Sequence, residues 1–349
     1  MQNQQMQNMM NLANNFMQMQ PIIFDPRKID DRMRKQLANT TIYQVKNGLY
    51  QKFPIFKLIS FSYIPNYDPG VPNNICDVEV VYDHVLDAAE KYADKGVNYS
   101  MTSGLNPIVV NVVGKEFNGS NLELCQNMRD QIINIRTTFC SAVGTHPPFP
   151  IKEDECVYSK LITVVKTKYP TTFLAPQDTY RIGLITVAPL QIKKERLLSD
   201  NKMCSEDFAK TLIIIECIFQ AAISRNHYVL VLPPFGHEDD NNPVDDIVKI
   251  YNYCIYKYGH MFKKIIIGIP QFYPKPVFDA YVKGIIKPIE LVNIIDKKYE
   301  QDDMKNSLMK TSADKKKEVK QEQQPNQNNM DPQQMAMFMK MMQQMMNKQ

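Results

Sequence analysis

Four apolar runs constrain the fold more than anything else in this chain. They are "PIVVNVV" (residues 107–113), "YRIGLITVAPLQ" (180–191), "HYVLVLPPFG" (227–236) and "KKIIIGIPQ" (263–271). None alternates apolar with polar residues, so none reads as a strand with one wet face. A short run that is apolar throughout reads as a strand buried on both sides, as in a parallel sheet covered by helices on each face. Helical patterns separate these runs. "HVLDAAEKYADKG" is amphipathic and stops at Gly96, "LELCQNMRDQIINIRTTFCSAV" is a second helix, and "PVDDIVKIYNYCIYKYG" opens at Pro243. "SEDFAKTLIIIECIFQAAISRN" is a long buried helix, with a capping-box pattern from Ser205 to Phe208 and acids in its first turn. The stretch from Asp25 to Tyr50 begins as a polar helix and reaches a turn at Asn47-Gly48. "ECVYSKLITVVKTKY" reads as a Tyr-Ser turn followed by a strand. Alternating strands and helices predict a three-layer α/β domain with a mostly parallel sheet between helices.

This ordinary globular character runs from residue 21 to residue 298, flanked by residues 1–20, which are Met, Gln and Asn rich. Residues 299–329 form a charged linker that lacks the apolar surface to offset its ordering entropy and is expected to be disordered. In residues 330–349, Asp331 and Pro332 suit a helix start, and Met335, Phe338, Met342 and Met345 fall on one helical stripe. A similar stripe holds Met6, Met9, Ala13 and Phe16. Either Met-rich end suits a frayed tail, a self-association helix or a docking helix for another protein. Flexible thioethers adapt to varied surfaces.

Several function classes are disfavoured. With 41 basic and 37 acidic residues the net charge is +4, too balanced for a nucleic-acid binder. No apolar run approaches the roughly 18 residues that span a bilayer, and the N-terminus lacks the charge and apolar stretch of a signal peptide. Seven scattered cysteines form no CxxC pair and read as reduced thiols in a cytoplasmic protein. The absence of Trp and the abundance of Ile, Lys, Asn and Tyr suggest an AT-rich genome, such as that of a protist or a large DNA virus; a viral protein would reside in host cytoplasm or virion.

In parallel sheets, ligands sit at the carboxyl ends of strands. Three such ends stand out: "VVNVVGKEFNGSN" (109–121), "ITVAPLQ" (185–191) and "LVLPPFGHEDDNNP" (230–243). The last is odd, because a loop that cradles phosphate is usually neutral or basic. Consecutive residues rarely converge on one ion, so His237, Glu238, Asp239 and Asp240 read as a solvated acidic loop rather than a metal site. A ligand site in which these acids read a cationic or hydroxyl-rich group is the other option. No cofactor or metal is expected. His84, His146, His227 and His260 are isolated and read as structural or surface residues.

Taken in order, these segments resemble the bacterial-type poly(ADP-ribose) glycohydrolases, whose catalytic part is a macrodomain. That family has an arginine-bearing helix followed by a Thr, a strand and a Gly-x-Tyr turn, matched by "ANTTIYQVKNGLY". It continues with a short helix, a strand ending in an Asn turn, a Tyr-Ser turn, a strand ending in Ala-Pro, and a strand entering a Gly-rich phosphate loop. The matches here are "HVLDAAEKY", "IVVNVV", "VYSKLITVV", "LITVAP" and "LVLPPFGHEDDNNP". The resemblance covers most of residues 27–270 and implies a macrodomain-like fold. It places Asn111, Gly119, Ser120, Asn121, Pro189, Gly236, His237 and Asn242 at an ADP-ribose-like ligand.

The departures concern chemistry. The family's triple glycine falls on Gly119, Ser120 and Asn121, and its Gln-Glu-Glu triplet on Arg129, Asp130 and Gln131. The last Glu of that triplet is the family's general acid. Gln131 has no proton to give, and Asp130 is shorter and one position early. Lys115, Glu116, Asn118 and Asn121 also suit a simple polar turn ahead of a helix. Pro233 and Pro234 lack a donor N–H. Like charges about 4 Å apart repel by roughly 4 kcal/mol at an effective dielectric of about 20, so acids beside a diphosphate would oppose it. The expectation is a catalytically degenerate macrodomain-like protein that binds or assembles, holds ADP-ribose weakly and works through its Met-rich ends as a homo-oligomer or with a partner. The alternative is an active ADP-ribose-binding hydrolase with a rearranged acid.

Overall fold

The computed structural model describes residues 30–47, 58–70, 76–96, 106–114, 128–139, 149–168, 172–237 and 240–286, with side chains from residue 132 onward in the fifth segment. The strands are β1 Leu58–Ser62, β2 Asp77–Val81, β3 Ile108–Val112, β4 Glu155–Val164, β5 Tyr180–Val187, β6 Val229–Leu232 and β7 Lys264–Gly268. The described α-helices are α1 Asp31–Lys46, α2 Val85–Glu90, α3 Met128–Arg136, α4 Ser205–Ser224, α5 Val244–Tyr258 and α6 Lys275–Gly284. One seven-stranded sheet runs in the order β1-β4-β5-β3-β6-β7-β2. From β5 to β2 the pairs are parallel; β4 is antiparallel to β5 and β1 antiparallel to β4.

The apolar runs become the sheet's centre because both their faces are covered. Ile108, Val110 and Val112 of β3 join Ile185, Leu230, Leu232, Ile265 and Ile267 against residues of α4, α5 and α6. Val109 points the other way and joins Leu184, Val231 and Ile266 against Ala38 of α1, Leu86 of α2 and Ile133 and Ile135 of α3. Two apolar layers thus flank the sheet, giving the three-layer, mostly parallel arrangement expected from the four runs.

The local details differ in several places. Tyr158 and Ser159 do not turn; they lie inside β4, and the register shift between Ser159 and Ile162 shows a bulge there instead. Ala38 to Lys46 continue α1, so the strand that the resemblance implied after Thr41 is a helix. Thr41 is fully buried and donates to the Ile135 carbonyl at 2.5 Å, which fixes α1 on α3. The cap of α4 is Cys204, which makes no side-chain capping bond. Its neighbour Asp207 instead takes two bonds from Arg196, at 2.7 and 2.9 Å. Strands β1 and β2 and helix α6 were not read from the sequence. The tracts 1–20, 299–329 and 330–349 lie outside the described residues.

Candidate functional site

Strands β5, β3 and β6 are neighbours and parallel, so their carboxyl ends lie side by side. The three loops singled out in the sequence therefore start at one edge of the sheet. Asn111, opposite Thr186 in the β3–β5 register, is buried, and its amide Nδ2 donates to the Thr186 hydroxyl at 3.4 Å. Gly119, Ser120 and Asn121 lie outside the described residues. Asp130 and Gln131 lie in α3, but their side chains are likewise outside what is described.

The loops after β5 and β6 are stitched together. The Asn242 amide Nδ2 donates to the carbonyls of Leu190 at 2.9 Å, Asp240 at 3.1 Å and Gly236 at 3.2 Å, sharing two hydrogens among three acceptors. Its backbone N–H returns to the Gly236 carbonyl at 3.0 Å. Asn241 sits at φ 54 and donates its side chain to the Ile192 carbonyl at 3.0 Å, while the Ile192 N–H donates to the Asp240 carbonyl at 2.9 Å. Gly236 has φ +61. A Cβ there would lie 2.5 Å from Asn242 Nδ2 and 3.1 Å from Pro189 Cβ. The structure thus brings Pro189, Gly236 and Asn242 into contact.

The acidic loop is not simply solvated. Asp240 is only 5% exposed and its carbonyl is one of the acceptors that hold the loop together. Glu238 and Asp239 lie outside the described residues. The sequence treated these acids as one run, but backbone hydrogen bonding pulls the third of them inward. Two polar atoms are buried here without a hydrogen-bond partner among the described residues: Asn242 Oδ1 and His237 Nδ1. The His237 ring is 6.2 Å from that of Tyr273, which is itself 5.3 Å from Phe272 in the loop after β7. Those rings were missed in the sequence reading; their signal was an aromatic pair just past the carboxyl end of a buried strand. Among the described residues no cluster of three His, Cys, Asp or Glu side chains could hold a metal ion, and no helix is long and apolar enough to cross a membrane.

A second polar cluster lies where α2 meets α3. Arg136 of α3 forks onto Asp87 of α2 with bonds of 3.0 and 2.6 Å, and its Nε donates to the Lys166 carbonyl at 3.4 Å. His84 caps α2 by accepting the Leu86 N–H at 3.2 Å, and burial together with Arg136 pushes its pKa down to about 4. Lys168 pairs with Asp83. His227, almost fully buried, bridges the Tyr158 hydroxyl and the Asn106 carbonyl at 2.9 Å each, and burial lowers its pKa to about 4. A carbonyl only accepts, so Nδ1 carries the proton of a neutral ring. Both histidines are structural, as the sequence suggested.

This fold, a mixed sheet with a parallel centre covered on both faces, is similar to that of solved poly(ADP-ribose) glycohydrolases. The enzyme from Thermomonospora curvata superposes with a TM-score of 0.56 at 13% identity, covering 73% of this chain and 100% of that one. The same enzyme bound to the inhibitor ADP-HPD gives 0.54 at 14% identity, covering 72% and 99%. A mutant of the Deinococcus radiodurans enzyme in complex with ADP-ribose gives 0.52 at 11% identity, covering 65% and 93%. The likeness is one of fold. No family model matches the sequence, and no curated protein matches it.

Proposed function

We propose that this protein is a macrodomain-like binding protein that no longer cleaves poly(ADP-ribose). The observation that carries this reading is the closed stitch of Asn242 onto Gly236, Leu190 and Asp240. Phosphate is held by backbone N–H groups that converge on it across a Gly-rich turn. Here two positions of the loop are Pro233 and Pro234, which have no N–H, and the Asn242 amide packs on Gly236. The stitch commits the Asn242 backbone and side-chain N–H donors to loop carbonyls, so they are not offered to a diphosphate. Gln131 at the acid position supports the loss of hydrolysis, because an amide cannot protonate a leaving sugar oxygen. Titrating ADP-ribose into the full-length protein by calorimetry should show a Kd no tighter than about 1 mM, or about −4 kcal/mol. Micromolar binding that survives physiological salt would overturn this reading.

One observation favours a second reading, an active ADP-ribose-binding hydrolase. Asn242 Oδ1 and His237 Nδ1 are buried with no partner among the described residues, and Tyr273 offers a ring beside His237, so a polar ligand could satisfy these atoms. Asp130 would then be the acid. Release of ADP-ribose from poly(ADP-ribose) above a no-enzyme control, abolished by Asp130→Asn, would establish it.

A further inference from the structure

The two edges of the sheet are built differently. At the β2 edge, Asp77 and Glu79 are exposed acids, both paired with Lys264 of β7. Charges of this kind protect an edge from pairing with another chain. At the other edge, β1 and the two residues after it read Leu-Ile-Ser-Phe-Ser-Tyr-Ile, without one charge.

Backbone direction shows what β1 offers. The Tyr63 N–H donates to the Asp154 carbonyl at 2.7 Å, so Tyr63 faces β4. Directions alternate along a strand, so Phe61 and Ile59 also face β4, opposite Cys156 and Tyr158. Leu58, Ser60 and Ser62 therefore turn their N–H and C=O groups outward. The open strip ends there, because Gln220 of α4 clasps Ile64, accepting its N–H at 2.9 Å and donating to its carbonyl at 3.2 Å. Ser60 and Ser62 are exposed, and Ile59 is 37% exposed.

We propose that β1 pairs with β1 of a second copy of this chain, antiparallel, about a two-fold axis through Ser60. The choice of occupant rests on the strand's self-complementarity. In this register the outward groups of Ser60 meet those of Ser60 in the other copy, and Leu58 meets Ser62, so every outward N–H finds a carbonyl. Ile59 then lies across from Phe61 at the non-hydrogen-bonded positions, where side chains approach most closely. Twice over, an apolar side chain meets an apolar one, and no charge opposes the contact. The interface is isologous and continues the sheet across the axis. It is small, so the dimer forms only at high concentration.

Sedimentation velocity on the full-length protein tests this. The wild type should shift toward a dimer between about 10 μM and about 200 μM, as mass action requires. Ser60→Pro removes only an outward N–H, which an edge strand tolerates, and should leave a monomer at the higher concentration. Ser60→Lys sets like charges opposite each other at the axis, and Ser60→Glu does the same; each should be monomeric alone, and an equimolar mixture should associate again. A wild type that stays monomeric, a Ser60→Pro variant that associates like the wild type, or a charge-swapped mixture that stays monomeric would each overturn the β1 pairing.

Discussion

Lys166 is the least expected residue in the molecule. It is 1% exposed, sits 4.5 Å from the Phe173 ring centroid, and donates to the Leu37 carbonyl of α1 at 3.2 Å; no salt bridge to it is found among the described residues. Burial alone pushes its pKa down to about 7. The unfolded chain holds this proton up to its ordinary pKa of about 10.5, and the folded one releases it near 7. Between those values the unfolded state binds more protons, so stability rises with pH across that window, and below it the full cost remains. Lys166→Met should remove the slope and stabilise the fold at roughly pH 6, by up to a few kcal/mol. The Leu37 carbonyl lies inside α1, where the backbone N–H four residues on is its helical donor, so the substitution leaves it bonded. Urea unfolding at roughly pH 6 and roughly pH 9 checks this; equal slopes for both proteins would mean that Lys166 stays charged in the fold. Nothing in the sequence marked Lys166, because a lysine after a β-strand is ordinarily a surface residue and its burial depends on α1 packing across it.

At the scale of elements, legibility followed burial. The strands β3, β5, β6 and β7 were readable because both of their faces are apolar. β1 and β2 were missed because they are edges, where Ser60, Ser62, Asp77 and Glu79 break the apolar run. α4 was readable as a helix but not its cap, since Asp207 is used by Arg196 rather than by the helix end. The candidate site was readable only as a set of loops. That Asn242 would join the loops after β5 and β6, and that Asp240 would turn inward, depends on which carbonyls the fold brings within reach. The loop after β6 allows a direct check. Gly236→Ala forces a side chain into φ +61 and against Asn242. The left-handed backbone costs about 1–2 kcal/mol and the overlap about 1–3 more. Gly70 is a control: it has φ +87 but nothing within 4 Å of a Cβ, so Gly70→Ala should cost only the backbone part, about 1–2 kcal/mol. Thermal melts of the two variants should therefore separate, and similar losses would show that the Asn242 contact is not tight.

At the scale of the whole molecule, α4, α5 and α6 cover one face of the sheet and α1, α2 and α3 the other. The terminal tracts carry little apolar surface beyond their Met stripes, so removing residues 1–20 and 300–349 should leave a core that melts within a few degrees of the full chain. Such a truncation also separates two routes to association. If residues 330–349 form the helix that their spacing suggests, its stripe of Met335, Phe338, Met342 and Met345 would pack against a partner helix, whereas β1 needs nothing beyond the sheet. If the Met-rich ends drive assembly, the truncated protein sediments as a monomer at about 50 μM while the full chain does not. If β1 drives it, the truncated protein associates as the full chain does and Ser60→Pro abolishes association in both. Monomers of both lengths at that concentration, with the wild type dimerising only near about 200 μM, would leave β1 as a weak edge contact and make the Met stripe a docking helix for some other protein or an internal pair.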